Sequence, residues 1–247
     1  MSIKLLTRAD DAGSFETANR AIAETVENGI VRNVSVMAPA PAFGHAVDEL
    51  AGLTEACFGV HATLTSEWDD SRWGPILSAD DVPSLVRADG TFPATGQELA
   101  ELDPDPEEIR IEVTAQIDAI RDAGFDPVYL DVHMAIDWVR NLDKIFDDVR
   151  EGEGLLSGDD APILPDVDTD ETGPDRLLAQ LNAIGSGTYL AVGHPCFPDA
   201  EIEGITVDGN DAGLPKSRDA ERRMFMDERV VGYCEEHGIE PVSFADI

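Results

Sequence analysis

Lysine is nearly absent from this chain of 247 residues: only Lys4, Lys144 and Lys216 occur. Basic residues number 17 against 51 aspartates and glutamates, a formal net charge of −34. A surface this negative repels phosphate backbones and anionic lipid, which excludes nucleic-acid and membrane-surface partners. Aromatics are scarce at 6%, and acidic chains poor in aromatics can stay unfolded. Here 43% of the residues are hydrophobic and fall in periodic blocks, which supports a full core. No apolar run approaches the ~20 residues of a membrane span. Cysteine is limited to Cys57, Cys196 and Cys234, widely spaced and odd in number, so no disulfide framework is expected. Charge at Arg8 and Asp10 comes too early for a secretion signal, and a cytoplasmic location is expected. Abundant acid with little lysine reads as adaptation to high salt, where screening over a few ångströms removes self-repulsion.

What the sequence does contain is strand–helix alternation. Short apolar runs at 3–7, 33–37, 58–64, 128–132, 188–192 and 241–244 predict strands. Amphipathic stretches at 15–28, 107–123, 142–149, 176–183 and 220–237 predict helices. This order implies a parallel sheet with helical crossovers. No Gly-rich phosphate loop follows the first strand, so an α/β fold of the distorted TIM-like (β/α) barrel type is expected rather than an open sheet. One domain over residues 1–247 suits the length. Two long polar stretches, 66–101 and 151–174, break the rhythm and read as functional walls or lids, or as plain surface insertions.

Polar residues fall at the ends of the strands. The first strand leads into Asp10-Asp11, the third carries His61, the fourth ends Asp131-Val132-His133 and the fifth ends Gly193-His194-Pro195. Strand C-termini line the active-site face of parallel α/β folds. Taken singly, each residue has an ordinary explanation: Asp10-Asp11 as a helix cap, a strand histidine as a bonded core residue. The coincidence over four strands favours an active site. Three of the five histidines sit this way, whereas His45 and His237 lie in helical segments. Aspartate with two histidines suits a catalytic divalent metal with open coordination positions. Such an ion polarises a carbonyl and acidifies water, and amide or ester hydrolysis then needs a base and an acid, for which Asp10 and His194 are available. No G-x-S-x-G elbow is present, and neither Cys57 nor Cys196 has an assigned base.

These residues resemble the YdjC-like carbohydrate deacetylases, which include chitooligosaccharide deacetylases. The resemblance rests on Ala9-Asp10-Asp11-Ala12-Gly13 with Asn19 and Ile22, on residues 29–37, and on Gly59-Val60-His61-Ala62-Thr63-Leu64. Asp131-Val132-His133, His194-Pro195 and Arg218-Asp219-Ala220-Glu221 follow in order. It implies a distorted barrel and metal-dependent removal of N-acetyl groups from amino sugars. It implies Asp11, His61 and His133 as ligands of a divalent ion, zinc or magnesium, and Asp10 as general base. His194 would act as acid or oxyanion stabiliser, and Arg218 would hold an active-site carboxylate by a bidentate pair. The partners implied are a small N-acetylated sugar and a second copy in a homodimer. Three positions depart from the family pattern: Ala135 stands where a second histidine is common, Arg8 where asparagine is usual, and Cys196-Phe197 where Gly-Tyr is frequent.

Trp68 and Trp73, in a polar loop, are expected to contact ligand or subunit. Trp138 is either a sugar platform or part of the barrel rim. Two other functions fit the same residues: hydrolysis of a different amide or ester, and non-catalytic sugar binding. Asp10 argues against the second, since a pure binder needs no base beside the metal.

Overall fold

The first strand, β1 (Ile3–Ala12), is longer than its apolar run because Arg8, Asp10 and Asp11 are buried within it. The computed structural model describes residues 3–247. After β1 come α1 (Glu16–Asn28), β2 (Asn33–Val36), α2 (Phe43–Leu50), β3 (Cys57–Ala62), α3 (Gly96–Glu101) and α4 (Pro106–Asp122). Next are β4 (Pro127–Val132), α5 (Leu142–Glu153), β5 (Leu156–Ser157), α6 (Pro174–Ala183) and β6 (Gly187–Gly193). A hairpin, β7 (Thr206–Val207) and β8 (Asn210–Asp211), precedes α7 (Leu214–Met226), α8 (Glu228–His237) and β9 (Ile239–Val242).

Seven strands form one parallel sheet in the order β5-β4-β3-β2-β1-β6, with β9 also paired to β1. The length of β1 makes this possible: its first half lies between β6 and β9, its second between β6 and β2. A parallel bridge from Ile163 to Leu190 ties the segment after β5 to β6, drawing the two sheet edges together. The curled sheet with helices outside it is the distorted barrel that the alternation predicts.

Helix α4 shows why these segments are helical. Ile109, Val113, Ile117 and Ile120 make one buried stripe, Pro106 opens the first turn, and the Asp105 carboxylate caps the amides of Glu107 and Glu108. The predicted helix at 220–237 is instead two helices. Asp227 takes an extended conformation (φ −62°, ψ 125°) and its carboxylate caps α8 at the Arg229 amide. Without Gly or Pro there, side-chain periodicity alone gave no sign of the break.

Alternation along the strands sorts the residues inside the barrel into layers. Leu6, Tyr129, Leu190, Val242 and Phe244 form a small apolar cluster, with Tyr129 and Phe244 rings 4.3 Å apart. Two residues further along β1 comes Arg8, and two beyond Tyr129 on β4 comes Asp131. Polar groups thus replace apolar ones toward the C-terminal ends. Gly59 is required by this packing: a Cβ there would lie 2.3 Å from the Tyr129 ring.

Candidate active site

Neighbours in a strand normally face opposite ways, yet Asp10 and Asp11 both join the buried polar layer. The register explains it: Ala9 pairs Val34 and Ala12 pairs Val36, so two residues oppose one. This bulge is completed by Asp11 in the left-handed region at φ 64°. Neither aspartate caps α1. The amides of Glu16 and Thr17 bond instead to the Glu201 carboxylate at 2.9 and 2.7 Å.

Asp11 Oδ1, His61 Nε2 and His133 Nδ1 form a nearly equilateral triangle. Its edges are 3.4 Å from the oxygen to each nitrogen and 3.2 Å between the nitrogens. Ligand atoms placed tetrahedrally 2.0–2.1 Å from a zinc-sized ion are about 3.3 Å apart. Both imidazoles are 3% exposed, and Asp11 Oδ1 is a buried oxygen without a hydrogen-bond partner. A buried orphan carboxylate oxygen facing two ring nitrogens fits a divalent cation. His133 sits at the end of β4, where Met134 and Ala135 follow at φ 59° and 47°, a second strained turn beside the triangle.

Each imidazole is oriented from behind by a carboxylate. Asp131 Oδ2 lies 3.0 Å from His61 Nδ1, and Glu67 Oε2 lies 3.0 Å from His133 Nε2. With N–H donated outward, each ring presents its lone pair to the triangle. Asp10 and Asp131 pair with Arg8, Asp11 with Arg218 and Glu67 with His133, so carboxylates outnumber arginines around the two imidazoles and a cation is favoured there. Without an ion, protons fill that role. Burial pushes the histidines down, but Asp131 and Asp11 lift His61 well above its usual range, and Glu67 and Asp11 lift His133 to about 9. Burial pushes Asp11 up, but His133, His61 and Arg218 together hold it well below the carboxylate range.

Arg8 is the internal counterion. Its Nε and Nη2 lie 2.7 and 3.0 Å from the two Asp10 oxygens, and Nη2 is 3.0 Å from Asp131. Nη1 donates to the Gly158 carbonyl at 2.7 Å. Asp10, His61 and Asp131 also cluster closely enough to bind an ion, but there the guanidinium already supplies the positive charge. Burial, aided by Asp131 and opposed by Arg8, raises the Asp10 carboxyl above its ordinary value.

His194 follows β6 and is a third exposed. Its Nδ1 lies 2.9 Å from Glu221 Oε2, and the same oxygen accepts its backbone N–H. Burial pushes Glu221 up to about 7, with Arg218 lowering it and Asp11 adding to the rise. Arg218, on α7, brings Nη2 to 3.2 Å from Asp11 Oδ2. It takes one Asp11 oxygen and leaves the other to the triangle.

The tryptophans depart from expectation. Trp68 and Trp73 are 2% and 5% exposed and pack as core residues, and Trp68 also lines the small cavity beside Asp11, His194 and Arg218. Trp68 stacks on Phe15 at 4.3 Å and meets Trp73 edge-on at 5.0 Å. This packing fixes the loop that delivers Glu67. Trp138 is 61% exposed and no part of the core. His45, in α2, lies near Asn19 Nδ2 (3.2 Å) outside the cluster.

A family model described as YdjC-like protein matches residues 4–155. The chain belongs to the YdjC-like family. It is 26% identical to a carbohydrate deacetylase of Geobacillus stearothermophilus over 98% of this chain and 96% of that one. A carbohydrate deacetylase of Listeria monocytogenes is 32% identical over 55% of this chain and 53% of its own. A crystal structure from Enterococcus faecalis, of a protein put forward for cellobiose-phosphate cleavage, superposes with a TM-score of 0.80. It covers 100% of this chain and 99% of that one at 22% identity, a likeness of fold.

The candidate site of this YdjC-like chain also contains residues that its sequence did not single out. Glu67 lies in a loop with no strand to place it. Glu221 was visible only as the last letter of a motif. Arg8 stood out as a departure, and its distance of two residues from Asp10 on one strand was the available sign that they share a face.

Proposed function

We propose that this chain hydrolyses the N-acetyl amide of an amino sugar, using a divalent cation held by Asp11, His61 and His133. The observation that carries the reading is the buried triangle around the orphan Asp11 oxygen, flanked by a separate carboxylate and a separate imidazole. Two nitrogens and one oxygen favour zinc or another first-row ion over magnesium, which prefers oxygen alone. When bound, such an ion polarises the amide carbonyl and makes water a stronger acid. Asp10 takes the proton from the attacking water, and Arg8 holds that carboxylate in one orientation by both oxygens. The water oxygen bonds to the carbonyl carbon and the C–N bond breaks. His194, anchored at Nδ1 by Glu221, delivers a proton from Nε2 to the departing nitrogen. The products are acetate and a free amino sugar.

The carbohydrate deacetylases among the relatives support the substrate class. Acetate release from a panel of N-acetylated mono- and oligosaccharides tests it. Turnover of other amides or esters alone would replace the substrate, and sugar binding without any turnover would make the chain a binding protein.

A further inference from the structure

A cavity of about 460 Å³ lies between β6, α6 and α7, within the ~300–1,000 Å³ typical of small-molecule sites. Its walls are apolar, built from Leu164, Leu177, Leu190, Val192, Ala220 and Met224. A sugar there would leave hydroxyls against hydrocarbon, which is costly, so the cavity suits an aliphatic body. Two cations, Arg176 and Lys216, also line it, with the Glu221 carboxylate as its one acid. Arg176 pairs with Asp166. Lys216, one of three lysines in a chain with 51 acids, has no ion-pair or side-chain hydrogen-bond partner among the described residues. The N-caps of α6 and α7, Gly173 and Gly213, line the same space without side-chain caps of their own, while Asp175 lies in the first turn of α6 and the Asp211 carboxylate accepts the Gly213 N–H.

We propose that this cavity binds an anionic amphiphile: a medium-chain carboxylate with its chain along Leu177, Leu190 and Met224 and its head at Lys216 and Arg176. Unpaired positive charge beside an apolar hollow is unusual on so acidic a chain, and it selects a ligand carrying both features. The cavity shares Glu221 with the active site but none of the three residues proposed to hold the cation. Binding is therefore measurable without turnover, and the inference does not depend on the deacetylase reading.

The test is calorimetric titration of the full chain with decanoate, and with decanol as the uncharged control. Two variants accompany it, Lys216→Glu and Ser217→Trp. Ser217 lines the cavity and its hydroxyl bonds only to carbonyls of Gly213 and Leu214, so the indole fills the space without breaking a distant contact. We expect one decanoate per chain with a Kd below about 1 mM. Lys216→Glu, or decanol in place of decanoate, should weaken binding about tenfold, and Ser217→Trp should abolish it with an unchanged circular dichroism spectrum. Non-saturable binding, or equal affinity in the Ser217→Trp variant, would overturn the proposal. So would a wild-type dimer in sedimentation that Ser217→Trp converts to monomer, because the occupant would then be a second copy.

Discussion

Asp10→Asn separates the two adjacent aspartates. The change removes a proton acceptor while keeping the shape of the side chain. General-base catalysis contributes typically 10²–10⁴-fold, about 3–5 kcal/mol of barrier, so kcat should fall by that factor with KM little altered. The fold should survive, because Arg8 keeps Asp131 at 3.0 Å, Asp159 at 3.2 Å and the Gly158 carbonyl at 2.7 Å. Losing one charged hydrogen-bond partner costs roughly 1.5–3 kcal/mol of stability, which thermal melts will register. Cation content should be unchanged, since Asp10 is no vertex of the triangle. Asp11→Asn should behave differently and lose cation and turnover together. The assays are acetate release, cation titration and melting on both variants. An Asp10→Asn enzyme with wild-type turnover, or one that loses the cation while Asp11→Asn keeps it, refutes the assignment.

Cation affinity should depend steeply on pH. His61 and His133 hold protons in the ion-free protein, His133 up to about 9, and each proton must leave before its nitrogen can bind. Lowering the pH from 8 to 6 should weaken binding by about 10²–10⁴-fold, and a flat calorimetric profile would contradict this. Because His133 is raised on folding, its stabilisation of the ion-free chain is complete below its unfolded value and fades as pH rises through about 9. Trp68→Ala should cost about 3–5 kcal/mol in urea unfolding, as expected for a buried stacked indole, whereas a surface residue would change little. Lowering salt from molar to about 0.1 M lengthens the Debye screening distance from about 3 to 10 Å. The uncompensated −34 charge should then depress the melting temperature, and a salt-independent melt would exclude this.

The barrel was legible because buried parallel strands read as short apolar runs, and the candidate site because its residues sit where those runs end. His61, His133 and His194 needed no more than that. The length of β1 was hidden, since Arg8, Asp10 and Asp11 look like the end of a strand until one sees that they neutralise and bond each other and their neighbours. The bulge that turns both aspartates inward leaves no pattern of its own; it depends on the register with β2. Glu67 and the buried Trp68 and Trp73 belong to a loop whose course is set by packing on Phe15, a contact between segments far apart in sequence. Asp227 divides α7 from α8 through a backbone angle that no residue type there requires.

The central claim is that Asp11, His61 and His133 hold a catalytic divalent cation. The direct measurement strips the chain with a chelator, then adds zinc stepwise while following acetate release from an N-acetylated amino sugar and ion content by elemental analysis. The account predicts that turnover vanishes on stripping and returns in proportion to bound zinc, saturating near one ion per chain, with no recovery in His61→Ala or His133→Ala. Full turnover in the stripped chain, or recovery in either variant, would contradict it.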